Sequence, residues 1–122
     1  MALIASQSEG HRFLGIWDRD RRQLLGVVGL HPKGRDNVEI GYWLTSAVRG
    51  QGLATEAVAA VVETLASRQP HLRIVAECHP GNLRSWALLN RINFRPSGER
   101  GERPGRWLFC WQHQPSYRID VC

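Results

Sequence analysis

The chain has 122 residues, enough for one hydrophobic core and too few for two. Its apolar fraction of 43% and charged fraction of 22% are those of an ordinary globular domain and exclude disorder over most of the length. A net charge of +5, from 16 basic and 11 acidic side chains, suits an anionic partner, but the basic residues are scattered through loops instead of lining one helix with interleaved aromatics, which argues against nucleic acid.

Arg12 to Asp18 and Gln23 to Leu30 are rich in strand formers and are separated by the polar Arg19-Asp20-Arg21-Arg22, the pattern of a hairpin. Pro32, Gly34 and Asp36 make a loop. From Asn37 to Leu44, Val38, Ile40, Tyr42 and Leu44 alternate with Glu39, Gly41 and Trp43, the period of a strand with two distinct faces. A helix is expected from about Gly52 to Ser67, where Ala54, Ala57, Val58, Val61 and Leu65 fall on one stripe and Pro70 ends the run. Leu72 to Glu77 reads as a short buried strand, Pro80-Gly81 as a turn, and Asn82 to Ile92 as a second helix with Leu83, Trp86 and Leu89 inward. Phe94 to Gly98 and Arg106 to His113 form a last hairpin. The whole is taken as a single domain over 1–122, with 1–11 as a lead-in and 114–122 as a tail. The expected class is α+β: a mixed, mostly antiparallel sheet with a central strand-helix-strand crossover.

No stretch reaches the roughly 18 consecutive apolar residues a membrane span needs. Met1 to His11 lack the basic start and apolar run of a secretory signal, so the expected location is cytoplasmic, with no membrane partner. Cys78, Cys110 and Cys122 are an odd count without metal-like spacing. The five histidines, His11, His31, His71, His79 and His113, never form a His-x-x-x-His pair. Neither a disulfide framework nor a metal site is expected.

The most informative segment runs from Glu39 to Glu56, where a strand enters a glycine-rich turn that opens an amphipathic helix. The first turn of such a helix carries unpaired N–H groups and the positive end of the dipole. Gly50 and Gly52 let a phosphate approach the backbone, and Arg49 adds a formal charge, so the physical expectation is a pyrophosphate cradle. It is neither a P-loop nor a dinucleotide fingerprint, because no Gly-Lys-Ser/Thr follows and the glycine spacing differs.

Arg49-x-x-Gly52-x-Ala54 resembles the (Gln/Arg)-x-x-Gly-x-(Gly/Ala) signature of the GNAT superfamily of acyl-CoA-dependent N-acetyltransferases. Glu39-Ile-Gly-Tyr-Trp-Leu before it and Ala54-Thr-Glu-Ala after it resemble the branch that acetylates ribosomal-protein N-termini. Asn82-x-x-Ser85 followed by Asn90-Arg-Ile-Asn-Phe94 is a second match, with Asn93 where glycine is usual. The resemblance spans roughly Gln23 to Gln112 and implies transfer of an acetyl group from acetyl-CoA, as co-substrate and without a metal, to an amine that the sequence does not identify.

For the matched positions the resemblance implies that Arg49, Gly50, Gln51, Gly52, Leu53, Ala54 and Thr55 hold the pyrophosphate. It implies that the strand end Trp43, Leu44 and Thr45 pairs with the pantetheine arm and polarises the thioester carbonyl. Asn82 contacts the pantetheine or is an ordinary helix N-cap. Glu39 corresponds to a position that acts as a base, the alternative being a solvated or salt-bridged strand glutamate. Ser85 corresponds to the position proposed to protonate the leaving thiolate, the alternative being a structural hydrogen-bonder. Trp17, Trp43, Trp86, Trp107 and Trp111 are taken mostly as packing, with an acceptor pocket as the alternative. Arg95, Arg100, Arg103 and Arg106 read as a solvated loop or as contacts to the 3′-phosphate or an acidic acceptor.

Members of the family usually begin with a strand and two helices that help form the acceptor site, and here Met1 falls almost at the family's second strand. The sheet face those helices would cover is therefore expected to be exposed, which favours a homodimer or another partner. An acyl-CoA-binding module with weak or no catalysis and a basic nucleic-acid binder are the alternative functions.

Overall fold

The computed structural model describes residues 2–8, 11–46 and 52–112. Among them are seven strands, β1 (Ala2–Ser8), β2 (His11–Trp17), β3 (Leu24–Pro32), β4 (Asn37–Leu44), β5 (Arg73–Cys78), β6 (Phe94–Arg100) and β7 (Trp107–Trp111), and two helices, α1 (Leu53–Arg68) and α2 (Leu83–Arg91). The strands form one sheet in the order β1-β2-β3-β4-β5-β7-β6. Every neighbouring pair is antiparallel except β4 with β5, which α1 connects. This is the mixed, mostly antiparallel sheet expected, with its crossover at the centre.

The chain starts differently from expectation. Ala2–Ser8, read as a lead-in, is an edge strand paired along its whole length with β2. An apolar run, Ala2 to Ala5, followed by the polar Ser6 to Ser8 lacks the alternation that marks the other strands, and pairing with β2 satisfies its backbone groups. The following hairpin is closed by Asp18, whose carboxylate accepts the N–H of Arg22 at 2.8 Å and of Gln23 at 3.3 Å. A bulge between Ile16 and Trp17 shifts the β2–β3 register by one residue.

The core lies between the two helices and one sheet face. Ile16, Val28, Leu30, Val38, Ile40, Ile74, Ala76 and Phe109 from the strands meet Ala57, Val58, Val61 and Val62 of α1 and Leu89 of α2. The indole of Trp86 stands edge-on to Phe109 with ring centroids 4.9 Å apart. Trp107 and Trp111 also pack against this cluster, so the expectation of packing holds for these three. The other sheet face carries no described helix and leaves Ile4 and Trp43 exposed, the latter at 51%. Among the described residues no helix is long and apolar enough to cross a membrane.

Candidate active site

β4 and β5 pair only from Asn37–Glu39 to Arg73–Val75. Beyond Glu39, β4 stays with β3 while β5 follows β7, so the sheet opens between them. Backbone alternation decides which groups face the opening. Lys33 N–H donates to Asn37 O, and Thr45 N–H donates to Leu25 O, both at 2.8 Å. The odd-numbered residues of β4 therefore direct their N–H and C=O toward β3, and Tyr42 and Leu44 direct theirs into the opening. Of Trp43, Leu44 and Thr45, all expected to supply N–H groups there, the register directs only Leu44 into the opening, joined by Tyr42. A strand edge buried without a partner is costly, which makes this edge a template for an extended ligand.

The opening is a cleft of about 770 Å³. One end meets the start of α1, where Gly52 is the N-cap residue with φ +76° and, among the described residues, no side chain caps the first turn. Glycine adopts that left-handed φ without cost, and its missing side chain leaves the N–H groups of the first turn open. The other wall is α2. The side chain of Asn82 accepts the N–H of Ser85 at 3.2 Å, the geometry of an N-cap. Asn82→Ala is expected to cost about 1 kcal/mol, the usual worth of such a cap, read as a lowered midpoint in thermal melting. The Ser85 hydroxyl lies 2.6 Å from the Tyr42 hydroxyl, with either able to donate. Burial raises the Tyr42 pKa above its ordinary value, with the Ser85 bond opposing the shift, so the phenol keeps its proton at neutral pH. Arg84, Leu88 and Arg91 of α2 also line the cleft at a spacing that places them on one helix face.

On the helix-free face at the fork, the Glu39 and Glu77 side chains are nearly inaccessible and share Arg103 between them. Arg103 Nε stands 3.2 Å from Glu77, its Nη2 is bonded to Glu39, and Lys33 lies 3.4 Å from the second Glu39 oxygen. Glu77 also accepts the backbone N–H of Glu102 at 2.8 Å and of Arg103 at 3.3 Å. The turn between β6 and β7 is thereby tied down over β4 and β5, with Lys33–Glu102 as an outer tie at 2.8 Å. Carboxylate oxygens of Glu39, Glu77 and Glu102 converge within 4.8 Å of one another, and the two cations lie among them.

A family model described as an acetyltransferase (GNAT) domain matches residues 2–95. The chain belongs to the GNAT family. It is 30% identical over 89 residues to the ribosomal protein uS5-alanine N-acetyltransferase of Escherichia coli, a match covering 70% of this chain and 46% of the relative. The chain thus spans about half the length of the curated relatives it matches. A solved ribosomal-protein-S5-alanine acetyltransferase from Vibrio fischeri superposes with a TM-score of 0.73 at 20% identity, over 84% of this chain and 64% of that one. A ribosomal L7/L12 alpha-N-protein acetyltransferase solved with coenzyme A gives 0.71 at 22% identity, over 82% and 60%. The GNAT fold is common to all three.

Within this GNAT domain the cleft brings together Glu39, Trp43, Leu44, Gly52, Ala54, Thr55, Asn82 and Ser85 of the expected site residues. Thr45 and Leu53 are outside its lining, and Arg49, Gly50 and Gln51 lie outside the described residues. Glu39 shows the ion-paired geometry that was the alternative to a base. Asn82 shows the capping geometry while also lining the cleft. Of the four arginines near the last turn, Arg103 and Arg106 line the cleft, while Arg95 and Arg100 are exposed and outside its lining. Sequence reasoning missed Lys33, Glu77, Glu102, Arg84 and Arg91. The repeat of Arg84, Leu88 and Arg91 on one helix face was a usable signal for the last two. The carboxylate–arginine group had none, because its members come from four separate segments.

Proposed function

We propose that this chain transfers the acetyl group of acetyl-CoA to a primary amine, with protein amino termini as the acceptor class. One observation carries the reading: a strand edge without a partner strand among the described residues runs alongside a cleft that ends at a glycine-opened helix start. The pantetheine arm bears amides that complement the Tyr42 and Leu44 backbone, and the pyrophosphate suits the first turn of α1. Arg84, Arg91 and Arg106 are cations in the same cleft for the remaining phosphate. The amino-terminal acceptor is supported by the activities named for the relatives. Acetylation of ribosomal proteins would place the chain in the cytoplasm. The exposed Ile4 on the edge strand favours a second copy against that edge, which a molar mass of twice 13.8 kDa in sedimentation would support.

In the reaction the amine attacks the thioester carbonyl, whose oxygen accepts hydrogen bonds from the Leu44 and Tyr42 N–H groups as negative charge develops on it. The leaving sulfur takes its proton from Ser85, which the neutral Tyr42 phenol resupplies across their 2.6 Å contact. Glu39, paired with Lys33 and Arg103, fixes the turn and adds negative charge beside the incoming ammonium. Tyr42→Phe is expected to lower kcat on the order of 10- to 100-fold while acetyl-CoA affinity stays unchanged, as read by steady-state kinetics and calorimetry.

The direct test is thiol release from acetyl-CoA in the presence of a peptide with an amino-terminal alanine, with the acetylated product weighed by mass spectrometry. Cofactor binding without thiol release would favour the acyl-CoA-binding module. Salt-sensitive RNA affinity with indifference to CoA would sink both.

A further inference from the structure

We propose that His31 takes the proton from the acceptor amine, through Nε2, with His11 holding its ring in place. This rests on the transferase reading above and names the base that the reading needs.

His31 lies on β3 directly across from Glu39 on β4, on the helix-free face. Its ring folds back along the strand over a floor of two glycines, Gly29 and Gly41, which are themselves a cross-strand pair. A Cβ on Gly29 would sit 2.7 Å from His31 Nε2 and one on Gly41 would sit 3.8 Å away, so the glycines create the trough the ring occupies. The trough is part of an apolar groove lined by Phe13, Val27, His31 and Trp43. Gly41, Tyr42 and Trp43 border both this groove and the cleft, so Nε2 faces the strip of β4 where the two meet.

The other ring nitrogen is engaged. His31 Nδ1 is 2.8 Å from His11 Nδ1, the two rings are tilted with centroids 5.0 Å apart, and Phe13 meets His31 edge-on at 5.6 Å. When His31 donates from Nδ1 to His11, Nε2 keeps its lone pair and points along the glycine floor. Among the described residues no hydrogen bond to His31 Nε2 is formed. Glu39 has no such vacancy, since Lys33 and Arg103 occupy both of its oxygens. Burial lowers the His31 pKa below its ordinary 6.5, and His11, Lys33 and Arg103 act in the same direction against the raising effect of Glu39. The ring is therefore neutral, and able to accept, at pH 7.

The protons balance. An acceptor ammonium gives one proton to His31 Nε2, which passes it to solvent. The neutral amine forms the C–N bond as the C–S bond breaks, and the sulfur gains a proton from Ser85 that Tyr42 resupplies. A second proton leaves nitrogen to solvent, solvent returns one to Tyr42, and the amide keeps the third.

The test compares the parent chain and His31→Gln, using acetyl-CoA and a peptide with an amino-terminal alanine from pH 5 to 9, alongside calorimetric binding of acetyl-CoA. The parent should show kcat/KM rising with pH through an apparent pKa below 6.5. His31→Gln should abolish that limb and lower kcat by about 100-fold or more, with acetyl-CoA affinity within threefold of the parent. A limb that persists, or activity within threefold of the parent, overturns the proposal while leaving the transferase intact. A parent that releases no thiol overturns the transferase reading and this base with it. Independently of turnover, ring nitrogen NMR should find His31 protonated on Nδ1 with Nε2 bare. The opposite tautomer at pH 7 would overturn the assignment. His11→Phe, which removes the orienting partner, should lower kcat more than it raises KM.

Discussion

Gly52→Glu will weaken acetyl-CoA binding by about 100-fold or more. The substitution places a carboxylate at the opening turn of α1, where the pyrophosphate is proposed to sit. Two unit charges about 4 Å apart repel by roughly 4 kcal/mol at the effective dielectric of a protein surface, and each 1.4 kcal/mol is about a tenfold change in affinity. The backbone contributes as well, because φ is +76° at this position and a residue with a Cβ pays about 1–2 kcal/mol to adopt it. Gly52→Ala separates the two effects. It carries the same backbone strain without the charge, and its Cβ would meet nothing within 4 Å. The alanine variant should lose little affinity and some stability; the glutamate variant should lose both. Calorimetric titration with acetyl-CoA and a thermal melt of each variant decide the matter. A glutamate variant that binds within threefold of the parent would remove the phosphate from the start of α1.

Arg103→Ala will destabilise the fold by about 3 kcal/mol, the lower end of the range for stranding buried charges. Glu39 and Glu77 are both almost fully enclosed, and this one guanidinium serves both. The lower end applies because Arg103 itself is half exposed, so water can enter the space it vacates. Glu77 also keeps its two backbone N–H partners, and Glu39 keeps Lys33. For a domain of this size the expected fall in Tm is roughly 10–20 °C. Repeating the substitution in a Glu77→Gln background should recover part of the loss, since only one carboxylate is then stranded. A fall of less than 3 °C in the first variant would mean the turn is held by something other than this arginine.

The two faces of β4 were legible because the alternation of Val38, Ile40, Tyr42 and Leu44 with Glu39, Gly41 and Trp43 requires only period-two geometry. The two helices were legible for the same kind of reason, since their apolar stripes and the stop at Pro70 are local, but Leu83, expected inward on the second, is 75% exposed because it opens the helix beyond the edge of the core. β1 was not. An edge strand whose apolar Ala2 to Ala5 do not alternate with polar residues gains its backbone partners from β2, and nothing within Ala2–Ser8 announces that pairing.

The pairing of His11 with His31 shows how one residue of register hides a site. The turn end of the hairpin pairs Trp17 with Leu24, and continuing that register would set His11 opposite Leu30. The bulge between Ile16 and Trp17 adds one residue, so Arg12 meets Leu30 and His11 meets His31.

By itself, then, the sequence determined the crossover sheet, the glycine-opened start of α1 and the family, because each follows from spacing along a short stretch of chain. The tertiary structure alone decided which β4 groups face the cleft, that Glu39 is shared between Lys33 and Arg103, and that two histidines twenty residues apart touch. Those outcomes depend on strand register and on a turn folding back over the sheet. Both are set by the summed packing and hydrogen bonding of distant segments, which no local pattern encodes.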